Sequence, residues 1–480
     1  MKLQKSKSAN INYLSKIVLI DKFLPHPNPE YTKLKRAIVG GFSIIVSTDM
    51  EDGLYVYFPA LSQINPDLLS YLSLYKDKNL NKNPEKTGFF ERNGRVKAIK
   101  LGGSPSEGFL LPLQDLKNWI MDSVSVELED IELNQEFDEA EHNGKHFWIS
   151  KKYVVVQNKQ RNSSGEKGNY RNNKLKRFNK LIDGQFRFHY DTVLYRKEPY
   201  AIEPSDLIHI SSKWHGTSLI ASYILCKHPR TWKDKLIMKI AELFRVKNSM
   251  YTLPDSYPVY DYVYSSRSVI KNSNINLGVS EGFYDVDVWK YGFEALKPYL
   301  IKGMTMYAEI VGFLPNGQYI QKPYDYGCRA PRPTEEYKYN THYKVVVYRI
   351  TLTNEDGVVY EFSPREVQLY CQKVGITPVI EFYYGYAKDL YPDLIIDDDW
   401  QEQFLERLAN DKNFFMEQNS PDCANNVPQE GIVIKKDDGI PRAWKLKCYN
   451  FLNKEQAMLD KGIEDIEDII GDIEEALKAI

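Results

Sequence analysis

From residue 34 to about 111 the apolar positions come in short runs broken by glycine, AIVGGFSIIVS, GLYVYFP, GRVKAIKLGG and EGFLLPL, with one helical interruption at PDLLSYLSLY. Runs of this length, rich in Val, Ile, Tyr and Phe and closed by turn residues, predict strands. Their crowding predicts a small β-barrel. The following LQDLKNWIMDSV switches to apolar intervals of three and four and predicts a helix. An acidic stretch, EDIELNQEFDEAEHNG, then reads as a boundary. Beyond residue 181 the two periods mix. DLIHIS, MYAEIVGF, YKVVVYRITL and AWKLK are strand-like, while TWKDKLIMKIAELFRV and WQEQFLERLAND have helical spacing. The pattern is that of an α+β chain, with an N-terminal β-rich module over 1–150, a connector over 151–182, a larger mixed domain over 183–450 and a final helix over 451–480.

Composition sharpens two of these segments. Residues 157–180, QNKQRNSSGEKGNYRNNKLKRFNK, carry eight Lys or Arg and one acid among Asn, Ser and Gly. This is either a solvated flexible connector or a phosphate contact, for which Lys174, Lys176 and Arg177 are the candidates. Residues 454–480 carry nine acids and three lysines with Ile at helical spacing, an acidic amphipathic helix suited to packing or to a partner.

The whole chain, 480 residues with 42% hydrophobic positions, has ample material for a core, and its net charge of −2 does not by itself advertise nucleic-acid binding. The five cysteines, Cys226, Cys328, Cys371, Cys423 and Cys448, are scattered without zinc-ligand spacing and read as reduced. The basic N-terminus lacks an apolar core segment, and no stretch approaches a membrane span. A cytoplasmic location follows, inside a host cell if the Asn-, Lys-, Ile- and Tyr-rich composition reflects a phage origin.

The candidate chemistry starts at HISSKWHGTSLI, residues 209–220, where Lys213 stands between a strand-like run and a glycine. A lysine becomes a nucleophile when desolvation or neighbouring cations free its amine, and a phosphorus centre is a fitting electrophile when cations hold the phosphates. Downstream come Arg267 in SSRSV, Glu309 in MYAEIVG, Tyr348 in YKVVVYRIT, Glu430 and Lys435 in EGIVIKK, and Lys445 and Lys447 in AWKLK. Gly216 permits a tight turn near a phosphate, Ser218 follows it with a hydroxyl, Glu309 can accept ribose hydroxyls, and Tyr348 offers a flat face to a purine. Lys445 and Lys447, two apart on a strand, share a face. Glu430 can orient the water shell of Mg²⁺. The cations together with a metal would depress the pKa of Lys213. Each residue alone also fits a bland role, such as a strand-end acid, a core aromatic or a solvated lysine. Five segments in this order are a poor fit to coincidence.

KWHGTS and the ordered segments after it resemble the covalent nucleotidyltransferases, the superfamily of ATP-dependent ligases and capping enzymes, and the histidine of K-x-H-G resembles the RNA ligases with an RNA ligase 2-like catalytic domain. DGLYVYFPALSQI, GRVKAIKLGGSPSEGFLLPL and FRFHYDT are similar to the Deinococcus-type nick-sealing RNA ligases, in which an N-terminal OB-fold precedes the nucleotidyltransferase domain. The resemblance implies an OB-fold barrel followed by an ATP-grasp-like ligase domain of antiparallel sheets with flanking helices. It makes Lys213 the adenylated nucleophile, Arg267 a contact on the ribose or 5′-phosphate side, Glu309 the ribose partner and Tyr348 the base-stacking aromatic. It also makes Glu430 the residue of metal-dependent chemistry, acting through water, and Lys445 and Lys447 the phosphate-binding pair. Lys435 and Ser218 join the ATP site, and His215 is a candidate contact to the departing phosphates.

ATP and Mg²⁺ or Mn²⁺ are the implied cofactors. The implied partner is nicked RNA or an RNA/DNA duplex, bound by a monomer with Arg95, Lys97 and Lys100 on the module's surface as candidate contacts; a solvated strand face is the equal alternative for these three. Ser212 departs from the pattern, standing where relatives carry an acid, and the acidic C-terminal helix has no counterpart in it. A DNA ligase or capping guanylyltransferase would share the lysine chemistry. A catalytically inactive nucleic-acid-binding protein is the reading from a different class.

Overall fold

The computed structural model describes residues 1–154, 180–190, 192–233, 236, 256–272 and 286–461. Two sheets dominate the larger domain. One runs in the order Ser256–Ser265, Thr217–Pro229, Met304–Gly312, Tyr343–Thr353, Val359–Glu361, antiparallel throughout, with Thr377–Pro378 added in parallel beside Val346 and Val347. The other runs Val193–Leu194, Ala443–Lys447, Gly431–Lys436, Leu207–Ser212, Glu381–Tyr386, parallel only at its first pair.

The strand Met304–Gly312 is buried at every position but Glu309, and Thr217–Pro229 is buried as far as Cys226 except at Tyr223, as their apolar runs require. Helices Val288–Leu296 and Pro364–Val374 supply Trp289, Phe293, Val367 and Cys371 to the core on one face. Asp287 caps the first of these helices on the Lys290 amide, and the Trp289 indole donates to the Ser218 carbonyl at 3.1 Å. That helix therefore fixes the strand just past Lys213. Residues 213–216 are the only link between Leu207–Ser212 in one sheet and Thr217–Pro229 in the other, so the candidate lysine stands where the two sheets meet.

The N-terminal module is built on a five-stranded antiparallel sheet in the order Glu136–Phe137, Ser15–Ile20, Gly53–Pro59, Ser104–Pro112, Ala98–Leu101. A three-stranded sheet of Leu24–Pro25, Leu34–Val39 and Phe42–Ser47 packs across it around Val18, Ala37, Ile44, Tyr55 and Leu110. LQDLKNWIMDSV is the helix Leu113–Val124, with Leu116, Trp119 and Ile120 buried, and Ser125 ends it in the left-handed conformation.

The acidic stretch after this helix is not a boundary. Its Glu136–Phe137 and Glu139–His142 segments pair with Ser15–Ile20 and Lys2–Gln4, since Phe137 and Ala140 alternate inward between the acids and are fully buried. Ser150–Lys152 still belongs to this half of the chain, pairing with Ser62–Ile64. TWKDKLIMKIAELFRV falls, save for its first residues, outside the described residues, as does the chain after residue 461. No described helix is long and apolar enough to cross a membrane. All five cysteines are unpaired and all but Cys423 are buried, in line with the reduced state expected.

The helix Tyr449–Asp460 returns to the N-terminal module and covers an edge. Among the described residues the strand Ala98–Leu101 has a neighbouring strand on one side only, and the outward amide and carbonyl of Ala98 are both taken by the buried Gln456 side chain at 2.9 Å. Gln456→Ala leaves both backbone groups without partners in a buried setting. It is expected to cost on the order of 2 kcal/mol, read as a lower urea midpoint at unchanged slope.

Candidate functional site

The register of the second sheet places the lysine. Leu207–Ser212 runs antiparallel to Gly431–Lys436 with Ser212 opposite Ile432, and the Lys213 amide donates to the Gly431 carbonyl at 3.0 Å. Lys213 therefore lies beside Glu430, and its Nζ is 2.7 Å from Glu430 Oε1. Glu430 is buried, and its Oε2 lies 3.9 Å from His215 Nδ1 with no hydrogen-bond partner among the described residues. Gly431 makes the approach possible, because a Cβ there would sit 2.1 Å from the Leu446 carbonyl oxygen on the adjacent strand.

The charge balance differs from the expectation of a depressed lysine. Burial works to neutralise Lys213, but Glu430 and then Glu309 outweigh it and outweigh the repulsion of Lys447, so the amine is held above the ordinary lysine range. Burial likewise raises Glu430, and Lys213, His215 and Lys447 overcome it and hold the carboxyl below its usual range. The resting pair is ammonium and carboxylate. The lysine has to lose its proton before it can attack anything.

Around this pair a cleft of about 630 Å³ gathers nearly all the residues singled out by the sequence: Lys213, His215, Ser218, Arg267, Glu309, Tyr348, Glu430, Lys435, Lys445 and Lys447. Gly216 is buried between Lys213 and the following strand, where its amide donates to Glu309 Oε1 at 3.0 Å and its carbonyl accepts from Gln321 at 3.2 Å. His215 has Tyr324 and Phe451 edge-on at 5.0 and 5.1 Å, and its amide donates to the Tyr326 hydroxyl at 2.5 Å. Lys445 and Lys447 face the cleft from one side of their strand, and Lys447 is 3.5 Å from Glu455 on the C-terminal helix. Arg267 is exposed at the rim just after Ser256–Ser265. With five cations and two carboxylates among these side chains, the cleft carries the positive field that a polyphosphate needs.

Tyr348 owes its position to a β-bulge. Tyr307 pairs with Arg349 and Ala308 with Val347, so Tyr348 is the extra residue between two paired positions, and its ring lines the cleft. Its hydroxyl lies 3.3 Å from Ser218 Oγ.

The Lys435 ammonium donates to the Tyr348 carbonyl at 2.6 Å, and burial brings its pKa down to about 8, with Glu361 opposing and Arg349 assisting. A lysine that serves phosphate as a cation binds it best below that value. An anionic ligand paired with Lys435 in this cleft is therefore expected to lose up to about tenfold in affinity per unit once pH passes roughly 8, with uptake of a proton on binding, and Lys435→Met removes this limb. Calorimetric titration across pH 7 to 10 checks it.

The nucleic-acid candidates behave differently. The Arg95 side chain is fully buried and pairs with Asp460, which Lys97 also reaches at 3.1 Å. Both serve to fasten the C-terminal helix, and a guanidinium with no exposed surface does not reach a phosphate backbone from this position. Lys100 is exposed, over the Tyr449 ring at 5.3 Å. Lys174, Lys176 and Arg177 lie outside the described residues.

Other cleft residues carry no assignment from the sequence. Asn12 and Tyr13 from the N-terminal module line it, and Asn12 clamps the Thr192 carbonyl and the Leu194 amide at 3.3 and 3.0 Å. A lone asparagine far from every motif gives no sequence signal for this. His189, inside FRFHYDT, meets Tyr348 at 5.1 Å between ring centres and Tyr307 at 5.7 Å. Its Nδ1 is buried without a hydrogen-bond partner among the described residues. Burial, then Arg349, Lys435, Arg267 and Lys445, hold this imidazole well below the usual histidine range, hence neutral.

No family model matches the chain, and no curated protein does. Among solved structures, a variant of the Naegleria gruberi RNA ligase with ATP and Mn aligns over 93% of this chain and 99% of its own at 12% identity and a TM-score of 0.47. The same ligase with pyrophosphate aligns over 93% and 100%, again at 12% and 0.47. A variant of it with AMP and Mn aligns over 92% and 99%, at 12% identity and 0.45.

Proposed function

We propose that the chain is an ATP-dependent RNA ligase that seals a 3′-hydroxyl to a 5′-phosphate, most fittingly at a nick in a duplex. The observation that carries the reading is the 2.7 Å contact of Lys213 with buried Glu430 at the junction of two sheets, inside a cleft that also gathers Glu309, Tyr348, Lys435, Lys445 and Lys447. In the first step the Lys213 amine, having given up its proton, attacks the α-phosphorus of ATP, and pyrophosphate leaves against the lysine pair. The AMP then passes to a 5′-phosphate end, and a 3′-hydroxyl displaces it to form the phosphodiester. The protein's part is positioning and neutralisation of charge. Glu430, already in contact with the ammonium, holds it in place while its proton passes to the water of the cleft, and His215 stands where departing phosphates would pass.

Among the described residues no group of three His, Cys, Asp or Glu could by itself hold a metal. The orphaned Glu430 Oε2 does fit a metal-bound water, which suits Mg²⁺ or Mn²⁺ carried in with the nucleotide phosphates. Such an ion would add charge neutralisation at the phosphates. The N-terminal module, read as an OB-fold, and the basic connector would hold the RNA. Incubation with α-labelled ATP and a divalent metal tests the reading. A labelled band that survives denaturation and is removed by pyrophosphate supports it; labelling by GTP alone points to a capping-type enzyme, and RNA binding without any label points to a binding protein.

A further inference from the structure

The helix Tyr449–Asp460 works on two sides. Tyr449, Gln456 and Asp460, at spacings of seven and four, share a face and meet Lys100, Ala98 and the pair Arg95 and Lys97 of the N-terminal module. Phe451, Glu455 and Met458, at spacings of four and three, share another and line a small pocket beside His215 and Tyr324. Of these three, Glu455 also lines the main cleft.

The helix is held at both ends. Glu417 accepts from the Tyr449 and Asn450 amides at its start, next to the Cys448 amide that donates to the Glu430 carbonyl at 2.9 Å, and Asp460 pairs with Arg95 at its last turn. The backbone at Glu455 is thereby fixed, which leaves the side chain as the part that moves. Both of its carboxylate oxygens stand 3.5 Å from Lys447 Nζ, and the two side chains are mostly buried. At that distance the contact is longer than a well-made hydrogen bond, so the ammonium can turn to another anion at little cost. The Lys213 pair with Glu430, at 2.7 Å, is the tight one of the two.

We propose that Glu455 is a positioning residue whose charge sets how tightly the cleft holds pyrophosphate: it keeps Lys447 directed into the cleft, gives it up to the phosphates, and then repels them. The inference rests on the phosphate-binding role read for Lys447. Lysyl-nucleotide formation runs backward when pyrophosphate stays, and a fixed carboxylate beside a multiply charged anion favours its departure. The C-terminal helix would thus serve product release as well as cover the strand edge.

The test is calorimetric titration of inorganic pyrophosphate with Mg²⁺ into the full chain and three variants, at low and at high salt. Glu455→Gln is compared with the wild type, and Glu455→Asn with Glu455→Asp, so that each pair differs in charge at equal side-chain length. In both pairs the neutral member is expected to bind pyrophosphate about fivefold more tightly at low salt, with the gap narrowing at high salt. Glu455→Gln should correspondingly need less pyrophosphate to remove the label from the lysyl-nucleotide. A purely structural role would move both members of a pair alike, and the second pair still answers if Glu455→Gln folds poorly. Neutral members that bind no more tightly than their charged counterparts overturn the inference. The affinities need no labelling, so a wild type that binds pyrophosphate but takes no label from ATP overturns the ligase reading alone. A wild type that binds no pyrophosphate overturns the phosphate reading of the cleft and the inference with it.

Discussion

Lys213→Ala is expected to take up no label from α-labelled ATP under conditions that label the wild type, and Lys213→Arg is expected to be equally silent. The two should part company in stability. Glu430 is buried at 4% exposure, and its carboxylate is held ionised by Lys213 at 2.7 Å. Alanine leaves that charge without its closest counterion. Breaking a fully buried pair costs about 3–5 kcal/mol; because 23% of the Lys213 side chain remains exposed to the cleft, a loss on the order of 2–3 kcal/mol is expected here. Arginine keeps a cation beside Glu430 and is expected to melt close to the wild type, yet its guanidinium is no nucleophile. Labelling and thermal melting on the three proteins separate chemistry from scaffold. A labelled Lys213→Arg would move the covalent site elsewhere.

Gly216→Ala is expected to slow lysyl-nucleotide formation by a hundredfold or more although it adds only a methyl group. An added Cβ would stand 2.3 Å from the Ile310 carbonyl oxygen and 2.7 and 2.8 Å from the Val311 and Glu309 side chains. The backbone oxygen cannot step aside, because Thr217 is paired with Ile310 in the ladder that continues along the strand. The segment 213–216 must shift instead. That breaks the Gly216 amide bond to Glu309 and moves Lys213 relative to Glu430, and a displacement near 1 Å from attack geometry costs about 10²-fold. Strain of this kind also costs ~1–3 kcal/mol of stability. A rate within a few-fold of the wild type at equal ATP saturation would show that the turn is not coupled to the chemistry.

The sequence made the ladder strands legible because each carries a dense run of β-branched and aromatic residues. GLYVYFP, YKVVVYRITL and AWKLK appear as Gly53–Pro59, Tyr343–Thr353 and Ala443–Lys447. The candidate residues on these strands were legible with them as residue types in an order along the chain, and the fold gathers them at one cleft. What could not be read were effects of register and of docking. The bulge that aims Tyr348 depends on how Tyr343–Thr353 pairs with Met304–Gly312, and no local pattern announces it. Arg95 looked like a surface cation because its neighbours alternate as in an exposed strand, whereas the C-terminal helix arrives from more than three hundred residues away and buries it. The acidic stretch at 129–144 misled for the opposite reason: its overall charge concealed the two inward positions, Phe137 and Ala140, that tie it into the sheets.

The clasp of Gln456 on Ala98 bears on synthesis as well as on the finished molecule. Lys213 leaves the ribosome some two hundred residues before Glu430, Lys445 and Lys447, and the helix that carries Glu455 and Gln456 follows later still. Until that helix arrives, the nascent chain presents an uncovered strand at Ala98–Leu101, the kind of edge that recruits a strand from another molecule. A growing chain would therefore carry the lysine long before it could use it. Stalled products ending ahead of Glu430 are expected to be inert toward nucleotide, and those ending ahead of residue 449 to be prone to self-association, so chaperone capture should favour them over the full-length protein.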